Sequence, residues 1–442
     1  MKKLLLSCLT GLFVAGTVSA QALYFPPKVG NTWATVTPAS LGWCEAEIDT
    51  LIDYLDAQDT KAFIVLKGGK IAIEQYFGTF TQDSLWYWAS AGKTLTAFTV
   101  GIAQQEGFLS IQDKSSDYLG TGWTDCPPAK EDLIKVVHQL SMTTGLDDGG
   151  DLDCTDDTCL TYLADAGTRW SYHNAPYTLL DDVITNATGM SLNSYVNTRI
   201  KNQTGMTGFY VQTGDNNVFY SKARSAARFG LLLLNKGKWN TTTVLSDTAY
   251  FNQMTNTSQP YNLSYGYLTW LNGKASYKLP GLQINIPGAL APHAPADMYC
   301  AMGKNGQFID VVPSQQIVLI RMGNAPGGAL VPGFLNDSIW ARFSQVLQPC
   351  TPTSKTHAFD TPPAFELYPN PTTGNFRIAY PGQTFDLRVV NNQGQTIFER
   401  TGLENAFNAS ELPMRLAAGV YHITVTTPDQ FTQVKKLVIL PQ

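Results

Sequence analysis

Charge is scarce in this 442-residue chain: Asp, Glu, Lys and Arg make up 15% of it, with 30 Lys plus Arg against 35 Asp plus Glu and no long run of one sign. That composition excludes the basic footprint of a nucleic-acid-binding surface. A hydrophobic content of 44% excludes a disordered chain. Past the first twenty residues no apolar run is long enough to cross a bilayer. Glutamate is missing between Glu131 and Glu366, which disfavours glycosidase chemistry built on a glutamate pair, although aspartates remain. The Gly-x-Ser-x-Gly turn of a Ser-His-Asp lipase is also missing.

What the sequence does hold begins with an export signal. Lys2 and Lys3 form its charged start, Leu4 to Val14 its apolar stretch and Val18-Ser19-Ala20 its small-residue cleavage site, so residues 1–20 are expected to be removed. Cys8 lies inside the apolar stretch, which argues against a lipid acceptor. Six cysteines then remain, Cys44, Cys126, Cys154, Cys159, Cys300 and Cys350, an even number in a chain bound for an oxidising compartment. They read as disulfide candidates rather than as a metal site. Cys154 and Cys159 can close a short loop, and the other four allow three pairings, among which Cys44 with Cys350 is preferred.

Organisation changes near Thr351-Pro352-Thr353 and Thr361-Pro362-Pro363, where a linker over 351–366 is expected. Before it, residues 21–350 alternate amphipathic helical patterns with β-branched runs, the mark of a mixed α/β (α+β) domain. A helix is expected over 45–55, strands over 62–66 and 70–76, and a long apolar helix after Ser90. After the linker, residues 367–442 read as an all-β sandwich, with strands over 376–380, 385–390, 396–400, 419–427 and 431–440 and a turn at Asn392-Gln393-Gly394.

Chemistry concentrates in three places. Ser90 and Lys93 stand three apart at the head of the apolar helix, within reach of one another on one face. A serine hydroxyl is a poor nucleophile until a base takes its proton, and a desolvated lysine can be that base. Alone the spacing is weak. It is followed by Tyr172-His173-Asn174 and then by Gly303-Lys304-Asn305-Gly306-Gln307 ahead of a strand-like run. In order and separation these segments resemble the class C β-lactamase-like serine hydrolases, a superfamily that includes penicillin-binding proteins, esterases, D-aminopeptidases and 6-aminohexanoate-oligomer hydrolases. The segments His138 to Leu146 and Ala227 to Leu234 with Lys236-Gly237-Lys238-Trp239 extend the resemblance over about residues 40–350.

That resemblance implies a β-lactamase/transpeptidase-like fold, an antiparallel sheet flanked by helices, and no metal or cofactor. It makes Ser90 the acylated nucleophile, Lys93 its base, and Tyr172 the phenol, held as phenolate by Lys93, that passes a proton to the leaving group and later activates water. Asn174 is expected to bind substrate or fix Lys93. The oxyanion hole is expected from the Ser90 N–H and the segment carrying Lys304, Gly306 and Gln307, with the Lys304 N–H preferred. This third segment departs from the family's Lys-Thr-Gly. The lack of glutamate also closes the deacylation route of class A β-lactamases. An ester or amide substrate ranks first, a β-lactam or D,D-peptide second, and a catalytically silent binder of the same fold is the reading from another class.

Other conspicuous residues take plainer readings. Asp147, Asp148, Asp151, Asp153, Asp156 and Asp157 read as a solvated, disulfide-closed loop, Trp86, Tyr87 and Trp88 as core, His173 as structural, and His293 as edging the cleft. At the other end, Leu367-Tyr368-Pro369-Asn370-Pro371-Thr372-Thr373-Gly374, Leu416 to Tyr421 and Lys435 to Ile439 resemble the type A sorting domain of the Bacteroidetes type IX secretion system. That resemblance implies a partnership with the secretion machinery and a secreted or surface-attached protein.

Overall fold

Three consecutive strands, β6 (Tyr299–Gly303), β7 (Gln307–Val312) and β8 (Ile317–Gly323), are buried at every position, so both faces of their sheet must be covered. They belong to a six-stranded antiparallel sheet with β1 (Thr60–Lys67), β2 (Lys70–Tyr76) and β5 (Trp270–Leu271), in the order β2-β1-β8-β7-β6-β5. The computed structural model describes residues 22–325, 331–350, 365–380, 384–427 and 432–441. The expected signal peptide, nearly all of the expected linker, Cys8 and Phe431 lie outside the described residues.

Alternation along β7 decides which helix covers which face. Ile309 and Val318 meet α5 (Ala223–Leu234) at Gly230, where a β-carbon would stand 2.4 Å from Val318 Cγ1. Asp310, pointing the other way, accepts hydrogen bonds from Trp340 Nε1 (2.8 Å) and Asn336 Nδ2 (3.2 Å) of α6 (Gly333–Val346). Helix α1 (Glu45–Ala57) packs beside α6, and α2 (Gly92–Gln105), buried from Gly92 to Ala103, carries the Ser90 segment into the core. The expected mixture of helices with an antiparallel sheet is what the chain forms. Helix α1 and strands β1 and β2 fall where the periodicity puts them, to within two residues at each end.

Cys44 and Cys350 are joined, as are Cys154 and Cys159. Cys126 and Cys300, offered as disulfide candidates, are instead free and buried, and burial pushes both thiols up. The Cys44–Cys350 bridge spans 306 residues, ties the start of α1 to the end of α6, and is backed by Cys44 N–H donating to Val346 O (2.8 Å). Replacing Cys44 by serine should therefore cost roughly 2–5 kcal/mol of unfolding free energy, measured by denaturant melting.

The described residues divide into two compact units on either side of residue 350. In the second, a three-stranded sheet (Glu366–Tyr368, Arg377–Ala379, Ala406–Asn408) and a four-stranded sheet (Phe385–Asn391, Thr396–Leu403, Gly419–Thr426, Thr432–Ile439) share a core that includes Phe365, Ile378, Leu387, Phe407 and Ile423. The strands Glu366–Tyr368 and Ala406–Asn408 were not legible as strands: each has only three residues, too few to show a period.

Candidate active site

Ser90 sits in a 3-10 turn, Ala89–Ala91, just ahead of α2 rather than inside it. Ala89 holds φ at +46°, a left-handed conformation that costs an alanine on the order of 1 kcal/mol. The turn keeps it because Trp88 is pinned twice by β4 (Asn216–Ser221), which pairs with β3 (Phe209–Thr213): its N–H donates to Phe219 O and its Nε1 to Ser221 Oγ, each at 2.8 Å. Gly303, at the end of β6, lies against the same turn: a β-carbon there would be 2.3 Å from Trp88 O and 3.1 Å from Ser90 N.

From the first turn of α2, Lys93 Nζ donates to Ser90 Oγ at 3.2 Å. Lys93 is 3% exposed, and burial pulls its ammonium down to about 7 against the opposing pull of Asp153 and Asp181. Its Nζ lies over the Tyr177 ring at 4.0 Å and the Tyr172 ring at 5.3 Å. Tyr172 is stacked on Trp270, with ring centroids 5.9 Å apart, and edged by Tyr265. Burial raises the Tyr172 phenol well above its usual value, more than the neighbouring Ser90 lowers it. Burial therefore works against the phenolate expected there.

Asn174 opens α3 (Asn174–Thr178) and donates from Nδ2 to Asp153 Oδ1 at 2.6 Å. The acidic loop is thus not merely solvated. Asp153 reaches Asn174, Asp148 pairs with Arg169 at 2.5 Å, and Asp151, Asp156 and Asp157 remain exposed. Seven of the ten buried, unpartnered side-chain polar atoms among the described residues belong to Arg169, Trp170, Ser171, Tyr172, His173, Asn174 and Asp181. His173 is buried, and burial lowers its imidazole.

The third segment forms the β6–β7 hairpin. Gln307 is 2% exposed and spends its amide on backbone, Nε2 to Gly323 O (2.6 Å) and Lys304 O (3.1 Å), with Oε1 accepting from Gly323 N–H (3.0 Å). Gly306, at φ +78°, makes room for Arg321, whose Nη1 a β-carbon would approach to 2.4 Å. Both residues therefore shape the hairpin instead of presenting a group to a ligand. Arg321, fully buried, donates to Asn305 O, Gly306 O, Gln58 O and Asn324 O. Asn305 Nδ2 donates to Tyr87 OH at 2.6 Å, which joins the hairpin to the segment before Ser90. Lys304 is exposed, with no hydrogen bond or ion pair from its ammonium among the described residues. His293 lies apart, on Asp337 of α6. Of the aromatic run, Trp88 is core, whereas Trp86 and Tyr87 are half-buried.

Among the described residues no group of three or more His, Cys, Asp or Glu side chains is placed to hold a metal ion. Sequence reasoning passed over Asp181 and Tyr177, read Asp153 only as part of the solvated loop, and named Gly303 only as the head of the third segment. The roles of Asp153 and Asp181 depend on contacts between distant segments, which spacing does not show.

Comparison with known proteins gives the fold a family. Residues 48–340 match the beta-lactamase family profile, and residues 366–440 match the secretion system C-terminal sorting domain. An uncharacterized protein of Alkalihalophilus pseudofirmus is 22% identical over 337 residues, 67% of this chain and 93% of its own. A candidate 6-aminohexanoate-dimer hydrolase of Bacillus anthracis aligns with a TM-score of 0.55 at 17% identity, over 72% of this chain and 87% of that one. A penicillin-binding-protein homologue of Caulobacter crescentus aligns with a TM-score of 0.54 at 14% identity, over 72% of this chain and 99% of that one. At such identities the likeness speaks for the fold alone.

Proposed function

The chain belongs to the β-lactamase family, and from that premise we propose that it is an exported serine hydrolase that opens an ester or amide through an acyl-Ser90 intermediate. The observation that carries this reading is the 3.2 Å contact between Ser90 Oγ and a buried lysine whose ammonium is drawn down to about 7. Neutral Lys93 takes the Ser90 proton as Oγ bonds to the carbonyl carbon. The negative oxygen that results faces the Ser90 N–H and the backbone at Gly303 and Lys304. Tyr172 gives its O–H proton to the departing alcohol or amine and recovers one from the Lys93 ammonium, so the acyl-enzyme forms with no net change at either residue. Water reverses the sequence and releases the acid. Asn174, held by Asp153 through Nδ2, offers its unpartnered Oδ1 as an acceptor to a bound substrate. The C-terminal unit supplies the address for type IX secretion, and the product is a secreted or surface-attached enzyme.

The test is intact-mass spectrometry of the purified protein and its Ser90→Ala variant after incubation with a fluorophosphonate and, separately, with penicillin G. Wild type should gain one phosphonyl group and the variant none. No addition to wild type overturns the hydrolase reading in favour of a silent binder. Penicillin left intact supports the ester or amide reading, and a persistent penicilloyl adduct or hydrolysed penicillin replaces it with the penicillin-binding or β-lactamase one.

A further inference from the structure

Lys93 is buried, so an ammonium formed on it is largely screened from solvent. Nζ lies 3.2 Å from Ser90 Oγ and 4.0 Å from the centre of the Tyr177 ring, and no carboxylate lies within ion-pair distance among the described residues. One turn beyond Tyr177, in α4 (Leu180–Thr188), stands Asp181, only 9% exposed. Its Oδ2 accepts from Asn217 Nδ2 at 2.8 Å, while Oδ1 is buried without a partner. Its field bears on Lys93, Tyr177 and Tyr210. Tyr210 OH in turn bonds Thr96 Oγ1 at 3.1 Å, on the same helix as Lys93 and one turn along. The first turn of α4 and the Asn217 amide both favour an acid at that position, yet neither engages Oδ1, and a buried carboxylate oxygen left open costs a fold stability.

Helix α4 packs against α2, and we propose that Asp181 is a positioning residue for the serine chemistry: the buried counter-charge on the neighbouring helix that stabilises the ammonium made on Lys93 as it takes the Ser90 proton. The proposal rests on the reading of Lys93 as the base of Ser90. Lys93 faces Asp153 from the acidic loop, Asp181 from α4, and the phenols of Tyr172 and Tyr177. Asp181 faces Lys93, Tyr177, Tyr210, Asn217 and its neighbour Asp182. Burial pushes Asp181 up to about 7 and brings Lys93 down to about 7, while each charge favours the charged form of the other. An ionised Asp181 favours the ammonium, and removing its charge lets Lys93 lose its proton at lower pH while making it a weaker base.

The experiment is the rate of fluorophosphonate labelling of Ser90 as a function of pH, read by intact mass, for wild type, Asp181→Asn and Asn217→Ala. Labelling of wild type tests the underlying reading by itself. With wild type labelled, Asp181→Asn should move the acid limb to lower pH by about one unit and lower the plateau rate about three- to tenfold. Asn217→Ala, which removes a bond that favours the Asp181 carboxylate, should move the limb the same way. A folded Asp181→Asn protein whose limb stays in place or moves to higher pH overturns the proposal. If that variant does not fold, the limb of Asn217→Ala decides by the same criterion.

Discussion

Exchanging Lys93 for arginine should lower the rate of Ser90 acylation by about 10²–10⁴-fold and remove its dependence on pH near neutrality. A guanidinium keeps the positive charge and fills a comparable space, but it cannot give up its proton near neutral pH. The sign of the wild-type profile follows from the cause of the shift. Burial disfavours the ammonium, so Lys93 is drawn from its usual 10.5 to about 7 and its neutral, proton-accepting form takes over as the pH rises through that value. Acylation of wild type should therefore climb through about pH 7 to a plateau, and that of Lys93→Arg should lie flat and low across the same range. Hydrolysis of a p-nitrophenyl ester, followed from pH 5 to pH 9, checks both curves. A Lys93→Arg enzyme with the wild-type limb would mean that another group takes the Ser90 proton, and Tyr172 would be the next candidate.

The parts of this molecule legible in its sequence are those whose signal is local. Glu45–Ala57, Thr60–Lys67 and Lys70–Tyr76 show their period within a dozen residues, and Ser90 and Lys93 sit three apart on neighbouring turns, so spacing alone puts them within reach. Tyr172 was legible only through its order relative to the other motifs. The burial that works against a phenolate there was not legible, because the aromatic wall of Trp270 and Tyr265 comes from about a hundred residues away. The same limit hid Asp181 and Asp153, whose acidity reads as surface charge until α4 and the disulfide-closed loop fold against α2 and α3. It also misplaced Gln307, a glutamine in a motif that turns out to be a brace between β7 and the end of β8. The cysteines divide in the same way: the short Cys154–Cys159 loop announces itself, while nothing in the sequence marks Cys126 and Cys300 as buried and unpaired.

Gly303→Ala should produce the second large loss, by a route that leaves the Ser90–Lys93 contact alone. Glycine is required there by proximity rather than by an unusual φ, since a β-carbon would come within 2.3 Å of Trp88 O, 2.9 Å of Ala91 N and 3.1 Å of Ser90 N. None of these atoms is free to withdraw. Trp88 is held through Phe219 O and Ser221 Oγ, and Ala91 N–H bonds Trp88 O at 3.0 Å. On the other side Gly303 is fixed by its pairing with Gln307 and by Gly306 N–H donating to its carbonyl at 3.1 Å, under the clamp of Arg321. The end of β6 must then back away from the turn, which costs roughly 1–3 kcal/mol of stability, as overpacking does. It also draws the backbone at Gly303 and Lys304 away from the Ser90 N–H. If these two together stabilise the negative oxygen, acylation should fall by about 10²–10³-fold. The acid limb should remain near pH 7, because Lys93 and its neighbours Tyr172, Tyr177 and Asp181 are untouched. A low plateau with an unmoved limb is the opposite of the flat profile expected for Lys93→Arg, so one pH series on the two variants separates loss of the base from loss of the oxyanion site. A Gly303→Ala protein that labels at the wild-type rate would place the second oxyanion donor elsewhere than on β6.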